Sequence, residues 1–399
     1  MRVAVITTSR ADYGIYQSLL SALAADPAVS YGLVVSGTHL SKEHGYTVQN
    51  IERDGHPIWG RVESVPEKDT PLAVAEVTGR AMTGFAACWA NLALDLDVVV
   101  CLGDRYEMFA AVAATVPFNL PVAHLHGGET TLGAIDDKYR HAITAMSTLH
   151  FTATEEYAQR VAGIVGDIAE VYAVGAPSLD GVAGLDFPSK EDMLAQFGTD
   201  FSRPSILVTL HPETVNLNAN EGMTDEVVEA LSELASRFLV VITMPNADTQ
   251  GMVIRKAFAL LAEKNPNVLT LENFGKLGYF AAMKYCSFLL GNTSSGLLEA
   301  PSFGKFAINV GRRQEGRARS GNVIDVPAKA SAIFAAVAEV EKQNLSYIGT
   351  NVYVRSDNAA GEILNHLRAW YQARPTKLAI MLSGADRRSQ PRSALQVKK

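Results

Sequence analysis

The chain has 399 residues, of which 48% are hydrophobic and 19% charged, and its net charge is −7. This length accommodates two domains with full cores, and the acidic balance disfavours a nucleic-acid-binding protein. The sequence contains no run of about 18 apolar residues, so we expect no membrane-spanning helix and no membrane partner.

Short β-type runs alternate with longer helical patterns, which predicts parallel, doubly wound α/β architecture. Strands are expected first at Arg2–Thr8, Tyr31–Ser36, Val98–Leu102, Pro121–Leu125, Leu149–Thr152 and Glu170–Val174. The helices between them are expected at Ile15–Leu23, Leu72–Leu94, Met108–Thr115, Tyr139–Ser147 and Glu155–Val165. The alternation breaks at Gly175–Gly181, a cluster of turn-forming residues that suits a hinge.

A second alternation follows this hinge. Its strands are expected at Ser205–Leu210, Phe238–Thr243, Asn267–Leu271, Phe288–Leu290 and Phe306–Val310, with helices that include Thr224–Ser236, Met252–Lys264, Gly278–Tyr285 and Gly296–Ser302. We therefore predict two Rossmann-like domains, residues 1–175 and 176–358, that face each other across a cleft. A terminal helix, 359–375, is expected to pack back across the hinge, and residues 376–399 form a basic tail.

Carboxylates follow two of the predicted strands, where ligands bind in parallel α/β sheets. Asp104 comes directly after Gly103, and Glu129 follows a Gly-Gly pair. Asp136 lies shortly beyond, where it is either a third acid/base group or the N-cap of the next helix with Arg140 as its ion-pair partner. For the three together, we favour a catalytic cluster.

The residues that follow two of the predicted strands have the features of an anion-binding site. After the first strand, free backbone N–H groups and Arg10 are expected to face the cleft; the alternative is a capped helix with an exposed arginine. In Gly291–Gly296, Ser294, Ser295 and Gly296 would donate to phosphate oxygens, and Glu299, one turn into the helix, would accept from ribose hydroxyls. The alternative there is an ordinary serine cap with a surface glutamate.

Three more strand ends face the same predicted cleft. His211 precedes Pro212, which makes burial as a core histidine the less favoured alternative. Four arginines, Arg312, Arg313, Arg317 and Arg319, indicate diphosphate clamps more than a solvated face. Asn246 and Asp248 add polar groups after Phe238–Thr243.

The sequence indicates neither a metal site nor a disulfide framework. His124 and His126 flank one residue of a predicted strand, and no H-x₃-H or HExxH spacing occurs. Cys88, Cys101 and Cys286 lie in apolar patterns and are interpreted as buried thiols. The buried thiols and the lack of a leader-like N-terminal segment predict a cytoplasmic protein. We expect no cofactor.

Together, these motifs resemble the hydrolysing UDP-N-acetylglucosamine 2-epimerases of bacterial sialic-acid and legionaminic-acid pathways. The resemblance extends to about Val326 and rests on motifs that occur in order: Ser9–Gly14, Leu102–Glu107, His126–Glu129, Gly133–Asp136, Arg140-His141, His211–Thr214, Asn246–Asp248, Gly291–Gly296 and Arg313–Arg317. It implies the glycosyltransferase-B fold and metal-free elimination of UDP to a glycal, which water then hydrates to free N-acetylmannosamine or a deoxy-diacetamido analogue.

The resemblance also implies roles for individual residues. Asp104, Glu129 and Asp136 would be the acid/base set, and His211 would support the departing diphosphate. The remaining UDP ligands would be Arg10, Asn246, Asp248, the main chain near Asn273 and Phe274, Ser294, Ser295, Gly296, Glu299 and Arg313. Relatives form dimers or higher assemblies, so a homo-oligomer, a dimer or tetramer, is expected.

Two positions depart from the family pattern. Ala145 replaces a frequent lysine, and Asn351-Val352-Tyr353 replaces Asn-Pro-Tyr. Three other functions remain open: a non-hydrolysing 2-epimerase, a glycosyltransferase of the same fold, and a UDP-sugar-binding protein without activity. The sequence does not distinguish UDP-N-acetylglucosamine from its 2,4-diacetamido-6-deoxy relative.

Overall fold

The computed structural model describes residues 1–68, 70–166, 170–245 and 250–374. Within these residues the chain forms two parallel sheets, one of seven and one of six strands. The prediction of two doubly wound α/β units is confirmed. We call the elements around the first sheet the N-terminal half and those around the second sheet the C-terminal half.

The first sheet has the strand order β3-β2-β1-β4-β5-β6-β7. Its strands are β1 (Arg2–Thr7), β2 (Ser30–Ser36), β3 (Ile58–Val62), β4 (Val98–Leu102), β5 (Val122–Leu125), β6 (Leu149–Thr152) and β7 (Val171–Ala173). The helices of this half are α1 (Arg10–Ala25), α2 (Val48–Arg53), α3 (Pro71–Leu92), α4 (Tyr106–Ala113), α5 (Asp136–Met146) and α6 (Glu155–Val165). Apolar residues of the strands and helices bury each other on both faces of the sheet.

The second sheet has the order β10-β9-β8-β11-β12-β13. Its elements are α7 (Lys190–Phe197), β8 (Ser205–Thr209), α8 (Asn220–Leu234), β9 (Leu239–Thr243), α9 (Gly251–Lys264), β10 (Val268–Leu271), α10 (Gly275–Tyr285), β11 (Phe288–Gly291), α11 (Ser295–Leu298), β12 (Ala307–Val310), β13 (Val323–Val326) and α12 (Ala330–Lys342). The expectation that Gly296–Ser302 is one helix is wrong. The α-helix ends at Leu298 and a 3-10 turn, Ala300–Phe303, follows, because Pro301 cannot donate a helical hydrogen bond.

Each sheet reverses its strand order at one point, between β1 and β4 and between β8 and β11. Loops that leave the carboxyl ends of such a strand pair diverge and open a crevice. Arg10 begins the helix that follows β1, Asp104 lies in the loop after β4, and the loops after β8 and β11 contain His211 and Ser294. The topology therefore brings the candidate residues of each half to that half's crevice.

The chain passes between the halves twice. At the first crossing, Gly175 has a φ of +90°, and a Cβ there would lie 3.2 Å from the backbone nitrogen of Arg355. At the second crossing, α13 (Ala359–Ala373) returns to the N-terminal half and buries Ile363 and Leu367 in its core. The domain limits at 175 and 358 stay predictions, and the tail, 376–399, lies outside the described residues. No helix in the described ranges is long and apolar enough to cross a membrane.

Candidate active site

The loop after β1 is organised by the carboxylate of Asp12. It accepts hydrogen bonds from the backbone nitrogens of Thr8 (2.8 Å) and Ser9 (3.0 Å), while Ser9 caps α1. The expectation of free N–H groups at these two positions is therefore wrong, because the helix's own first turn supplies their acceptor. Burial lowers the pKa of Arg10, and the Glu272 carboxylate of the C-terminal half opposes that effect. Arg10 thus faces the opposite half.

Asp104 is held at the end of β4 by a buried histidine. Gly103, with a φ of +78°, turns the chain there. Burial lowers the pKa of His124 to about 3, so its imidazole is neutral. Its Nε2–H donates to the Gly103 carbonyl (2.8 Å), and its Nδ1 lies 3.2 Å from the hydroxyl of Thr144. His124 therefore fixes the turn that presents Asp104.

Arg140 connects the carboxylates of the N-terminal half. One guanidinium nitrogen bonds Asp104, and the other donates to the His126 carbonyl (2.8 Å) and lies 3.7 Å from Glu129. Asp136 is the first residue of α5, the helix that contains Arg140, and the N-cap is Ile135. Asp136 is therefore not the cap that the alternative interpretation required.

Glu129 is completely buried, and both of its oxygens face donors. Its Oε1 lies 2.6 Å from Nδ1 of His126, and its Oε2 lies 2.7 Å from Nη2 of Arg317 in the C-terminal half. Burial alone would raise the pKa of Glu129, but the Arg317 charge and the hydrogen bond from His126 hold it well below its usual range. The carboxylate is therefore ionised across the working pH range of an enzyme.

The His-Gly-Gly-Glu turn needs a glycine at its third position. Gly128 has a φ of +77°, and a Cβ there would lie 2.5 Å from the Tyr157 carbonyl oxygen. A glycine is also required at position 133, on the other side of Glu129, because a Cβ there would lie 2.5 Å from Cα of Arg313. These glycines allow the 126–135 segment to lie directly against the C-terminal half.

His211 is buried at the end of β8, with 7% of its surface exposed. The side chain of Asn292, after β11, makes two hydrogen bonds to the backbone of His211. Its Oδ1 accepts from the His211 nitrogen (2.7 Å), and its Nδ2 donates to the His211 carbonyl (2.8 Å). The expectation that Pro212 keeps His211 from burial is wrong. The 133–135 segment of the N-terminal half covers the His211 loop, where Ile135 N donates to the Thr214 hydroxyl (2.9 Å).

Ser294 is the N-cap of α11, and Glu299 is its C-cap. Glu299 is buried, and its Oε1 accepts a 2.7 Å hydrogen bond from Ser178 in the hinge. Burial raises the pKa of Glu299, against hydrogen bonds from Ser178 and Ser295. Ser295 therefore lies beside Glu299, as the prediction of a shared nucleotide pocket requires, and Gly296 follows it in the same turn.

The arginine-rich loop after β12 divides into two groups. Arg313 Nη1 donates to the Asn292 carbonyl (3.3 Å), and Arg317 pairs with Glu129. Arg312 and Arg319 instead form ion pairs with Glu315 (2.6 Å) and Asp325 (2.9 Å). The loop thus directs Arg313 and Arg317 inward, while Arg312, with 77% of its side chain exposed, matches the alternative of a solvated face. Arg319 is mostly buried and also donates to the carbonyls of Gln314 and Arg317 within the loop.

The predicted uracil ligands are only partly described. Asn273 is exposed before α10, and its Oδ1 accepts from Gly275 N (3.0 Å). Phe274 is buried, with its ring 4.9 Å from that of Phe197, so only its main chain is available to a ligand. Asn246 and Asp248 lie outside the described residues.

The halves meet at the candidate residues. Asp104 and Glu129 share Arg140, Glu129 pairs with Arg317, and the charge of Arg317 acts on both Asp104 and Glu299. Sequence reasoning left Arg140 and His126 out of the predicted site and assigned Arg317 to the diphosphate clamps, not to Glu129. The available signals were the position of Arg140 one turn after Asp136 and the place of His126 in the His-Gly-Gly-Glu motif. Among the described residues, no group of three or more His, Cys, Asp or Glu side chains is arranged to hold a metal ion.

Two doubly wound parallel sheets whose strand-end loops bring carboxylates and arginines of both halves together define a nucleotide-sugar enzyme, and comparison with known proteins gives its family. Residues 21–368 match the UDP-N-acetylglucosamine 2-epimerase family, to which this chain belongs. The family predicted from the motifs is confirmed.

Two relatives are similar over most of their length. Polysialic acid biosynthesis protein P7 of Escherichia coli is 33% identical over 332 residues, 83% of this chain and 84% of that protein. UDP-N,N'-diacetylbacillosamine 2-epimerase (hydrolyzing) of Legionella pneumophila is 32% identical over 347 residues, 87% and 90% of the two chains. UDP-GlcNAc 2-epimerase from Neisseria meningitidis, solved with UDP-GlcNAc, has a TM-score of 0.75 at 18% identity over 92% of this chain and 100% of that one, which shows the shared fold.

Proposed function

We propose that this protein is a hydrolysing 2-epimerase that converts a UDP-2-acetamido sugar of gluco configuration to the free manno sugar and UDP. The observation that carries the proposal is the continuous buried link from Asp104 through Arg140 and Glu129 to Arg317. It joins the candidate acid/base side to the candidate diphosphate side, and the reaction needs both at adjacent atoms of one substrate.

The chemistry explains this pairing. The C2 proton of the sugar is weakly acidic, so its loss must accompany departure of UDP from C1. Cations fixed before the reaction stabilise the charge that develops on the diphosphate. Arg10, Arg313 and His211, with the Ser294–Gly296 turn, supply this function in the proposal. Glu299 binds the ribose and the main chain near Asn273 the uracil.

Two acid/base groups act on opposite faces of C2, and the proposal draws them from Asp104, Glu129 and Asp136. Hydration of the glycal then gives N-acetylmannosamine or its 2,4-diacetamido-6-deoxy analogue, a precursor type for sialic or legionaminic acid. The similarity to the E. coli and L. pneumophila proteins favours the hydrolysing reaction. The proposal includes a cytoplasmic homo-oligomer, a dimer or tetramer, that needs no metal.

A proton NMR time course in D₂O tests the proposal with each UDP-sugar in turn, with and without EDTA. We expect UDP and a free manno sugar that carries deuterium at C2, at the same rate in both buffers. UDP-N-acetylmannosamine as the product would show a non-hydrolysing epimerase. Unchanged UDP-sugar with both substrates would leave a glycosyltransferase or a binding protein.

A further inference from the structure

His126 and Glu129 form a carboxylate–imidazole pair that the sequence analysis did not assign to a function. The distance from Nδ1 of His126 to Oε1 of Glu129 is 2.6 Å. An ionised carboxylate only accepts hydrogen bonds, so Nδ1 carries the proton of this bond. In the neutral imidazole, Nε2 then has the free lone pair.

No described group binds that lone pair. Nε2 is buried and has no hydrogen-bond partner within the described residues. The backbone of His126 is in the left-handed region, with a φ of +61°, which is uncommon for histidine. It is held there by a hydrogen bond from its nitrogen to the Phe151 carbonyl (2.9 Å) and by the bond that its own carbonyl accepts from Arg140. Such strained positions are frequent in active sites.

His126 lies between the two sides of the candidate site. Its carbonyl and Asp104 share the guanidinium of Arg140, and its ring lies within electrostatic range of Glu299. The charged or titratable groups that face it are Glu129 from its own loop, Arg140 from α5, Arg317 from the loop after β12, Glu299 from the end of α11 and His124 from β5.

Glu129, in contrast, is completely buried, and each of its oxygens lies against a charged or hydrogen-bonding partner. Oε1 accepts from His126, and Oε2 lies against Arg317. A carboxylate that is fully buried and paired on both oxygens orients an imidazole and stabilises the cation that forms on it. Glu129 is therefore a positioning residue for His126.

On the basis of the proposed function, but with His126 in place of one of its three candidate carboxylates, we propose that His126 is the catalytic base that removes the C2 proton of the UDP-sugar. The lone pair of Nε2 takes the proton, the C2–H bonding pair becomes the C1–C2 double bond, and the C1–O bonding pair leaves with UDP. The imidazolium then loses its proton to solvent. Water adds to C1 of the glycal while a carboxylic acid protonates C2 on the opposite face, and the proton that water loses returns to that carboxylate.

The deciding variant is His126→Asn. Asparagine tolerates the left-handed backbone, and its Nδ2 occupies the position of Nδ1, so the hydrogen bond to Glu129 survives while Nε2 is lost. We expect kcat to fall by about 10²–10⁴-fold, with UDP affinity, measured calorimetrically, and the melting temperature unchanged. The matched control is His366→Asn. His366 is in α13, away from the crevices, and its ring stacks on that of Tyr172 in β7 with 3.7 Å between the ring centroids.

A second variant separates base chemistry from positioning. Glycine adopts a positive φ without strain, so His126→Gly preserves the turn and leaves space for free imidazole. Added imidazole is expected to restore turnover in proportion to its unprotonated form. No restoration in a His126→Gly protein that binds UDP normally would contradict the base role, as would glycal accumulation in His126→Asn, because proton removal would then be intact.

The failure of this inference differs from failure of the proposed function. Wild-type protein that releases no UDP from either UDP-sugar defeats the proposed function before any variant is compared. Active wild-type protein with an equally active His126→Asn variant defeats only the role of His126.

Discussion

Arg317 and Glu129 form a buried ion pair between the two halves of the protein, with Nη2 of the arginine 2.7 Å from Oε2 of the glutamate. Burial would lower the pKa of Arg317, but the Glu129 charge raises it above its usual value. The next residue extends the contact, since Ala318 N donates to the hydroxyl of Tyr157 (2.6 Å), which lies 3.2 Å from that of Tyr353. The C-terminal half thus holds the carboxylate that the N-terminal half contributes.

Arg317→Gln leaves Glu129 without its strongest partner. Because an uncompensated buried charge is costly, we expect the free energy of unfolding to fall by about 3–5 kcal/mol and kcat to fall with it. Arg312→Gln is the matched control, since Arg312 lies in the same loop with 77% of its side chain exposed. Urea unfolding and UDP-release assays measure both effects. Equal stability of the two variants would show that the buried pair contributes nothing.

Glu129→Gln removes the carboxylate charge at nearly constant shape. The amide stabilises neither the correct tautomer of His126 nor its cation, so turnover is expected to fall by about 10²–10⁴-fold while UDP still binds. Turnover assays and calorimetry with UDP check this result. Turnover close to that of the wild type would remove Glu129 from the mechanism.

Arg10→Ala tests the anion side of the cleft. A lost hydrogen bond to a charged group costs roughly 1.5–3 kcal/mol, which predicts UDP binding weaker by about 10–100-fold by calorimetry. Arg53→Ala is the control, because Arg53 is exposed and bonds Asn50 on α2 (3.1 Å). If both variants bind UDP as the wild type does, Arg10 is not a phosphate ligand.

The free energy of unfolding is expected to start falling at mildly acidic pH. Burial lowers the pKa of His124 to about 3 and that of His150 to about 4. The unfolded chain has a histidine pKa of about 6.5 and so binds more protons between these values. The stabilisation is complete above about pH 6.5 and is lost as the pH falls towards the folded values.

His124→Gln isolates one of these contributions. The Gln Nε2 can still donate to the Gly103 carbonyl but does not titrate. Urea unfolding between about pH 7.5 and 5 should show a slope smaller than the wild type's, by up to about 1.4 kcal/mol per pH unit. Identical slopes would mean that the pKa of His124 is the same in the folded and the unfolded protein.

The sequence allowed prediction of most strands, because buried parallel strands are short apolar runs that end in glycine or charge. Val98–Leu102 and Leu149–Thr152 have the predicted limits. The strand Ile58–Val62 was missed because Gly60 breaks its pattern. A Cβ at Gly60 would lie 2.6 Å from the Cys88 sulfur, so packing against α3 requires this glycine.

The pairings within the site could not be predicted in the same way. Asp104, Glu129 and His211 were found because each follows a strand, which is a local signal. The choice of Arg317, and not Arg312, as the partner of Glu129 depends on how the two halves meet. His211 is buried for the same reason, because the loop that covers it comes from the other half.

The second crossing of the chain has a consequence for protein synthesis. Asp180, in the hinge, accepts hydrogen bonds from the backbone nitrogens of Ala359 and Ala360 (both 2.8 Å) at the start of α13. Ile363 and Leu367 of α13 complete the core of the N-terminal half. The N-terminal half therefore cannot bury the apolar surface that α13 covers while the ribosome is still translating the C-terminal half, and a stop codon before α13 would leave that surface exposed.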